Sequence, residues 1–207
     1  MSKDLYSKLR KYFVMGSQNC DRDSCEVLEE AVRAGITAFQ YREKGQGSLE
    51  GAEKLALGRK LREICRKHGI LFFVNDDVEL VDPLEADGIH VGQDDLSAEE
   101  LRRRFPDRII GLSISNLAEL ERSPIEVVDY VGVGPMFATT TKEDAKKPVD
   151  VHFLEKVKHV YPDLPTVGIG GINETNAADV LEAGADGVAV ISVITKSDDI
   201  LRTVQNL

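Results

Sequence analysis

The chain is 207 residues long, 42% hydrophobic and 30% charged, with 36 acidic against 26 basic side chains and a net charge of −10. This composition builds a folded globular protein and excludes a disordered one, and the length suits one α/β domain over residues 1–207. There is no Lys/Arg-rich run and no apolar stretch near the ~20 residues that cross a bilayer, which argues against a nucleic-acid or membrane partner.

Short apolar runs alternate with amphipathic segments along the whole chain. The first run, at residues 12–15, follows a polar start without the apolar core of a signal peptide, so a cytoplasmic protein is expected. A helix is expected over 25–34, a second run at 38–42, a helix over 49–68 and a third run at 71–75. Further runs lie at 88–92, 109–114, 130–134 and 166–169, then a helical pattern at 173–183 and an eighth run at 187–191. These runs are short and continuously apolar, as parallel strands buried on both faces should be. Gly35, Gly69, Gly88 and Gly184 stand between a helix and the next strand, where glycine accepts the left-handed backbone that ends a helix. So many strand–helix units in so short a chain fit a closed (β/α)8 TIM barrel with parallel strands and spare loops. An open doubly wound sheet fits less well. In such a barrel the chemistry lies at the C-terminal ends of the strands.

Four groups of residues fall there. Gln40-Tyr41-Arg42-Glu43-Lys44 ends the second strand; side chains alternate, so Gln40, Arg42 and Lys44 share one face, and Tyr41 and Glu43 the other. Two cations at an inner mouth need an anion, either a ligand phosphate or diphosphate or an internal acid, unless they are solvated loop-end charges. Asn75-Asp76-Asp77 and Gln93-Asp94-Asp95 follow strands three and four. Asp76 and Asp95 on neighbouring strands suit Mg²⁺, which takes few protein oxygens, while Asp77 suits a helix cap better. Ser97 and Glu100 form a capping box of their own. The long stretch after strand six, from Met136 to about Pro148, carries Thr139, Thr140, Thr141 and Lys142, which suit an anionic ligand. Gly168-Ile169-Gly170-Gly171 and Ile191-Ser192 end strands seven and eight, the usual phosphate cradle of this barrel. His90 reads as a satisfied core histidine, and His68, His152 and His159 as surface residues. Cys20, Cys25 and Cys65 read as free thiols. A metal-binding or nucleophilic role for Cys20 or Cys25 lacks an obvious His or basic partner nearby in sequence.

Together these motifs resemble the thiamine phosphate synthase family over nearly the whole chain. The resemblance rests on Gln40-Tyr41-Arg42-Glu43-Lys44, Asn75-Asp76-Asp77, His90-Val91-Gly92-Gln93-Asp94-Asp95, the Thr-x-Thr-Lys of residues 139–142, and Val167-Gly168-Ile169-Gly170-Gly171-Ile172. It implies a transferase that joins a hydroxymethylpyrimidine diphosphate to a thiazole phosphate and releases diphosphate through a carbocation-like, dissociative step. It implies that Gln40, Tyr41, Arg42, Glu43, Lys44, Asn75, Ser113 and Lys142 bind the pyrimidine diphosphate. Within this set Arg42, Lys44, Ser113 and Lys142 carry the catalysis. It further implies that Thr139, Thr140, Thr141, Gly171, Ile191 and Ser192 bind the thiazole phosphate, and that Asp76 and Asp95 hold Mg²⁺. A homo-oligomer is compatible with this reading. Family members often have Ser-x-His where this chain has Ser113-Ile114-Ser115-Asn116. The sister thiazole tautomerase relies on a histidine near that point, so its absence disfavours the tautomerase or another phosphate-barrel isomerase. A non-catalytic sensor on the same barrel is the remaining alternative, disfavoured by the intact aspartates.

Overall fold

The structure, a computed structural model, describes residues 4–139, 141 and 147–207. Its eight strands are β1 (Lys11–Met15), β2 (Ala38–Tyr41), β3 (Leu71–Asn75), β4 (Gly88–Val91), β5 (Ile109–Ile114), β6 (Tyr130–Val133), β7 (Thr166–Ile169) and β8 (Gly187–Val190). They pair in parallel in chain order, and β1 pairs with β8 to close the barrel. Strands β3, β5 and β7 match the expected runs residue for residue. Arg42, Gly92, Gly134 and Ile191 fall one residue beyond their strands, at the mouth.

The helices are α1 (Asp4–Lys8), α2 (Ser24–Ala34), α3 (Gly51–His68), α4 (Ala98–Arg104), α5 (Leu117–Arg122), α6 (Val151–Val160), α7 (Ala177–Glu182), α8 (Ser192–Thr195) and α9 (Ile200–Gln205). The β3–β4 crossover holds no α-helix, only a 3-10 turn at Val78–Leu80, which is how the chain economises on length. Helix α2 starts on Asp23, whose carboxylate accepts from the N–H groups of Cys25 and Glu26, and ends on Gly35 at φ 104°. Helix α7 is shorter than its pattern. Asn173 accepts from the N–H of Thr175, and Asn176 accepts from the N–H of Asn173, so these residues form a turn instead.

Alternation along the strands sorts two cores. Outward side chains such as Phe13, Phe39, Phe72, Val74 and Ile89 pack under the helices, where nearly all are removed from water. Inward side chains fill the barrel, with Tyr12, Phe73 and Tyr130 at its centre, their ring centroids 5.3–6.1 Å apart. Burial of each such ring contributes about 2–3 kcal/mol.

The base of the barrel repeats one clasp. Asp87, Asp129 and Asp186 each immediately precede an even-numbered strand. Each carboxylate accepts from the first or second N–H of the preceding strand, in turn Phe72, Ile110 and Thr166, at 2.8 Å. Each also pairs with a cation from the helix before that strand: Arg62 at 2.8 Å, Arg102 at 2.6 Å and Lys158 at 3.0 Å. Thr37 takes the same place before β2, its hydroxyl accepting from Lys11 N–H at 2.9 Å.

Two expectations change. Gly88 does not end a helix: it opens β4, where an added Cβ would meet the Ile109 carbonyl oxygen at 2.3 Å and the Phe73 ring at 2.8 Å. Close packing inside the barrel, not a left-handed turn, requires glycine there. Asp77 stands before the Val78–Leu80 turn, but its side chain accepts no capping hydrogen bond; its carboxylate pairs with Lys54 at 2.9 Å.

Candidate active site

All the side chains singled out on the described strand ends sit at one end of the barrel. A narrow cavity of about 100 Å³ descends into the barrel and is lined by Gln40, Arg42, Lys44, Asn75, Asp76, Asp95 and Ser113. A wider cavity of about 880 Å³ opens beside it and shares Lys44, Asp95 and Ser113. Thr139, Thr141, Gly171, Ile191 and Ser192 line the wider one. The Thr141 hydroxyl donates to Ser192 Oγ at 3.2 Å, which ties the long loop to the end of β8. Thr140 and Lys142 lie outside the described residues.

Parity decides which of residues 40–44 face inward. Gln40, Arg42 and Lys44 point to the cavity, and Gln40 and Arg42 are buried. Tyr41 and Glu43, expected among the substrate-binding residues, line neither cavity and are engaged elsewhere. The Tyr41 hydroxyl donates to the Lys54 carbonyl at 2.9 Å under α3. The Glu43 carboxylate accepts from Ser17 N–H at 2.8 Å, the Ser17 hydroxyl at 2.5 Å and Leu49 N–H at 2.7 Å, clasping two loops together.

The charges are arranged closely. Lys44 Nζ lies 2.6 Å from Asp76 Oδ2. Asp76 adopts φ 56°, a left-handed backbone rare outside glycine, and its N–H donates to the His90 carbonyl at 2.9 Å. Strain of this kind concentrates at functional positions, where it aims a side chain. Asp95 Oδ2 accepts from Gly92 N–H at 2.8 Å. Burial pushes the Asp95 carboxyl above the usual carboxylate range; the Gly92 hydrogen bond opposes this, and the neighbouring Asp76 charge adds to it. The Asp95 carboxyl beside the Asp76 charge forms a donor set that a divalent cation would relieve. Among the described residues no cluster of three or more His, Cys, Asp or Glu could hold a metal ion. The Asp76 and Asp95 pair among the described residues suits Mg²⁺, with water and phosphate as its other ligands.

Sequence reasoning missed the cavity floor. His90 is not only a core residue: its ring lines the narrow cavity, with Nδ1 2.9 Å from Tyr130 Oη and Nε2 2.8 Å from Ser113 Oγ. Tyr12 and Tyr130 line it too. The signal was available in the parity of β4, which puts His90 on the inward face with Gly88. The cysteines are free; Cys65 is fully buried, and none of the three lines either cavity.

The family model described as thiamine monophosphate synthase matches residues 11–194. The chain belongs to that family. A thiamine-phosphate synthase of Oceanobacillus iheyensis is 57% identical over 199 residues, covering 96% of this chain and 97% of that protein. Thiamine-phosphate synthase 1 of Streptococcus pneumoniae is 45% identical over 200 residues, covering 96% of each. Among solved structures, the thiamine phosphate pyrophosphorylase from Pyrococcus furiosus superposes with a TM-score of 0.86 at 32% identity, covering 98% of this chain and 95% of that one. Membership of the thiamine monophosphate synthase family makes the chain an enzyme, a transferase of thiamine biosynthesis. Among the described residues no helix is long and apolar enough to cross a membrane.

Proposed function

We propose that this barrel, acting as a single cytoplasmic domain over residues 1–207, transfers the hydroxymethylpyrimidine group of a pyrimidine diphosphate to the nitrogen of a thiazole phosphate, releasing diphosphate. The observation that carries the reading is that Arg42 and Lys44 share one cavity with Asp76 and Asp95 in a chain of this family. A dissociative step needs its leaving anion stabilised as charge builds, and preorganised cations do that without a nucleophile. Arg42 offers a planar fork to phosphate oxygens and Lys44 a mobile point charge. Gln40, Asn75 and Ser113 supply uncharged polar contacts, with Lys142 as a further cation.

Asp76 and Asp95 would hold Mg²⁺. When bound, that ion would neutralise diphosphate charge as a Lewis acid. Lys44 now pairs with Asp76, and exchanging that partner for diphosphate would couple substrate entry to metal binding. The thiazole phosphate would take the wider cavity, held by Thr139, Thr140, Thr141, Gly171, Ile191 and Ser192. Apolar walls there, including Ile169 and Val190, would keep water from the cation that forms.

The deciding measurement mixes the protein with both substrates and Mg²⁺ and follows diphosphate and thiamine phosphate together. Equal amounts of each are expected, with activity lost on chelation and restored by added Mg²⁺. No product at saturating substrate would reject the transferase, and chelator-resistant turnover would reject the metal assignment.

A further inference from the structure

Ser113 faces both cavities, and its hydroxyl ends a chain of hydrogen bonds through the barrel core. Gln40 Nε2 donates to Tyr12 Oη at 3.0 Å, and the Tyr12 and Tyr130 hydroxyls lie 2.8 Å apart. Tyr130 Oη is 2.9 Å from His90 Nδ1, and His90 Nε2 is 2.8 Å from Ser113 Oγ.

The chain has one direction that satisfies every buried group. An amide nitrogen only donates, so Tyr12 Oη receives from Gln40. The proton of Tyr12 then has one acceptor among the described residues, Tyr130 Oη. Tyr130 gives its own proton to His90 Nδ1, so the neutral imidazole carries its hydrogen on Nε2 and donates to Ser113 Oγ. The serine proton is left over, free to point into the cavity. Running the chain backwards would strand the Tyr12 proton in a side chain only 2% exposed, and an unmade buried hydrogen bond is costly.

We infer that Tyr12, Tyr130 and His90 are positioning residues that hold the Ser113 hydroxyl as a hydrogen-bond donor toward the cavity, where it meets an acceptor-only group such as a diphosphate oxygen. The neighbouring strands are built around this chain. A Cβ on Gly111 would come within 2.2 Å of the Tyr130 ring and 2.5 Å of His90 Nδ1, and one on Gly132 within 3.1 Å of His90 Cε1. Burial also keeps both phenols protonated well above their ordinary range. The identity of the acceptor rests on the transferase reading; the polarity of the chain does not.

Two measurements on the full chain test it. In protein labelled with ¹⁵N-histidine, with His90 assigned by its loss in His90→Gln, the ring should be neutral with its proton on Nε2 at neutral pH. A proton on Nδ1, or on both nitrogens, would overturn the inference. In a double-mutant cycle on kcat/KM, Tyr130→Phe should lower the rate about 10-fold in protein that stays folded by circular dichroism, with a melting temperature lowered by the stranded Tyr12 hydroxyl. Added to Ser113→Ala it should lower the rate less than about two-fold further, since its effect passes through that hydroxyl. A full 10-fold loss in the Ser113→Ala background would also overturn it. If Tyr130→Phe fails to fold, the imidazole tautomer still decides. If the wild-type protein makes no product, the transferase reading fails while the tautomer still reports on the chain.

Discussion

Lys44 reaches Asp76 at 2.6 Å, the internal acid among its expected partners; under the proposed function a ligand phosphate would take that acid's place. Replacing Lys44 or Asp76 by Ala should lower turnover by roughly 10²–10³, the scale for losing one preorganised electrostatic group, with folding unchanged by circular dichroism. Near-normal steady-state rates for both variants would remove the diphosphate clamp. Cys65 marks the opposite case. Burial pushes its thiol up to about 12, so it should resist alkylation by iodoacetamide in the folded protein and react once urea unfolds it. Cys65→Ser should keep activity within a few-fold. Parity alone separated Gln40, Arg42 and Lys44 from Tyr41 and Glu43, and that separation was legible in five residues. The role of His90 was not, because it depends on Tyr130 and Ser113 from strands distant in sequence meeting its two ring nitrogens.

The elements were legible to within a residue or so wherever a strand lies buried on both faces, because continuous apolar runs bounded by glycine or acid have few other uses. The helices were less so: α7 loses its first turn to the side chains of Asn173 and Asn176, a local contest that periodicity does not register. The aspartates at the barrel base went unread although each immediately precedes a strand. Asp129→Ala would strand the Ile110 N–H and remove the carboxylate that pairs with Arg102, whose guanidinium keeps its bonds to the Pro106, Arg108 and Val127 carbonyls, costing about 1–3 kcal/mol. At about 2–4 °C per kcal/mol, the melting temperature should fall by roughly 2–12 °C. Glu79→Ala, which removes an exposed partner of Arg104, should shift it by less than about 2 °C. Equal shifts for the two would refute a structural role for the clasp.

Across the whole molecule, groups whose neutral form is buried set the alkaline limit. Cys65, Tyr12, Tyr41 and Tyr130 all hold their protons more tightly when folded, chiefly through burial. Their contribution is complete below the unfolded values of 9.0 for the thiol and 10.0 for the phenols. It is lost as pH rises through and beyond those values. The rise of Cys65 alone, from 9.0 to about 12, corresponds to on the order of 4 kcal/mol. The urea midpoint should therefore stay level up to about pH 8.5 and fall steadily above it; a midpoint unchanged to pH 11 would contradict this burial pattern.

The sequence by itself determined the closed barrel, its mouth and the family, because strand parity, glycine breaks and motif order are local and repeat along the chain. Only the tertiary structure decided how the groups at that mouth meet: Lys44 with Asp76, Asp76 beside Asp95, and Gln40 linked through two tyrosines and His90 to Ser113. The physical reason is distance. A hydrogen bond or ion pair depends on a few tenths of an ångström between atoms far apart in sequence, and barrel closure alone sets that spacing.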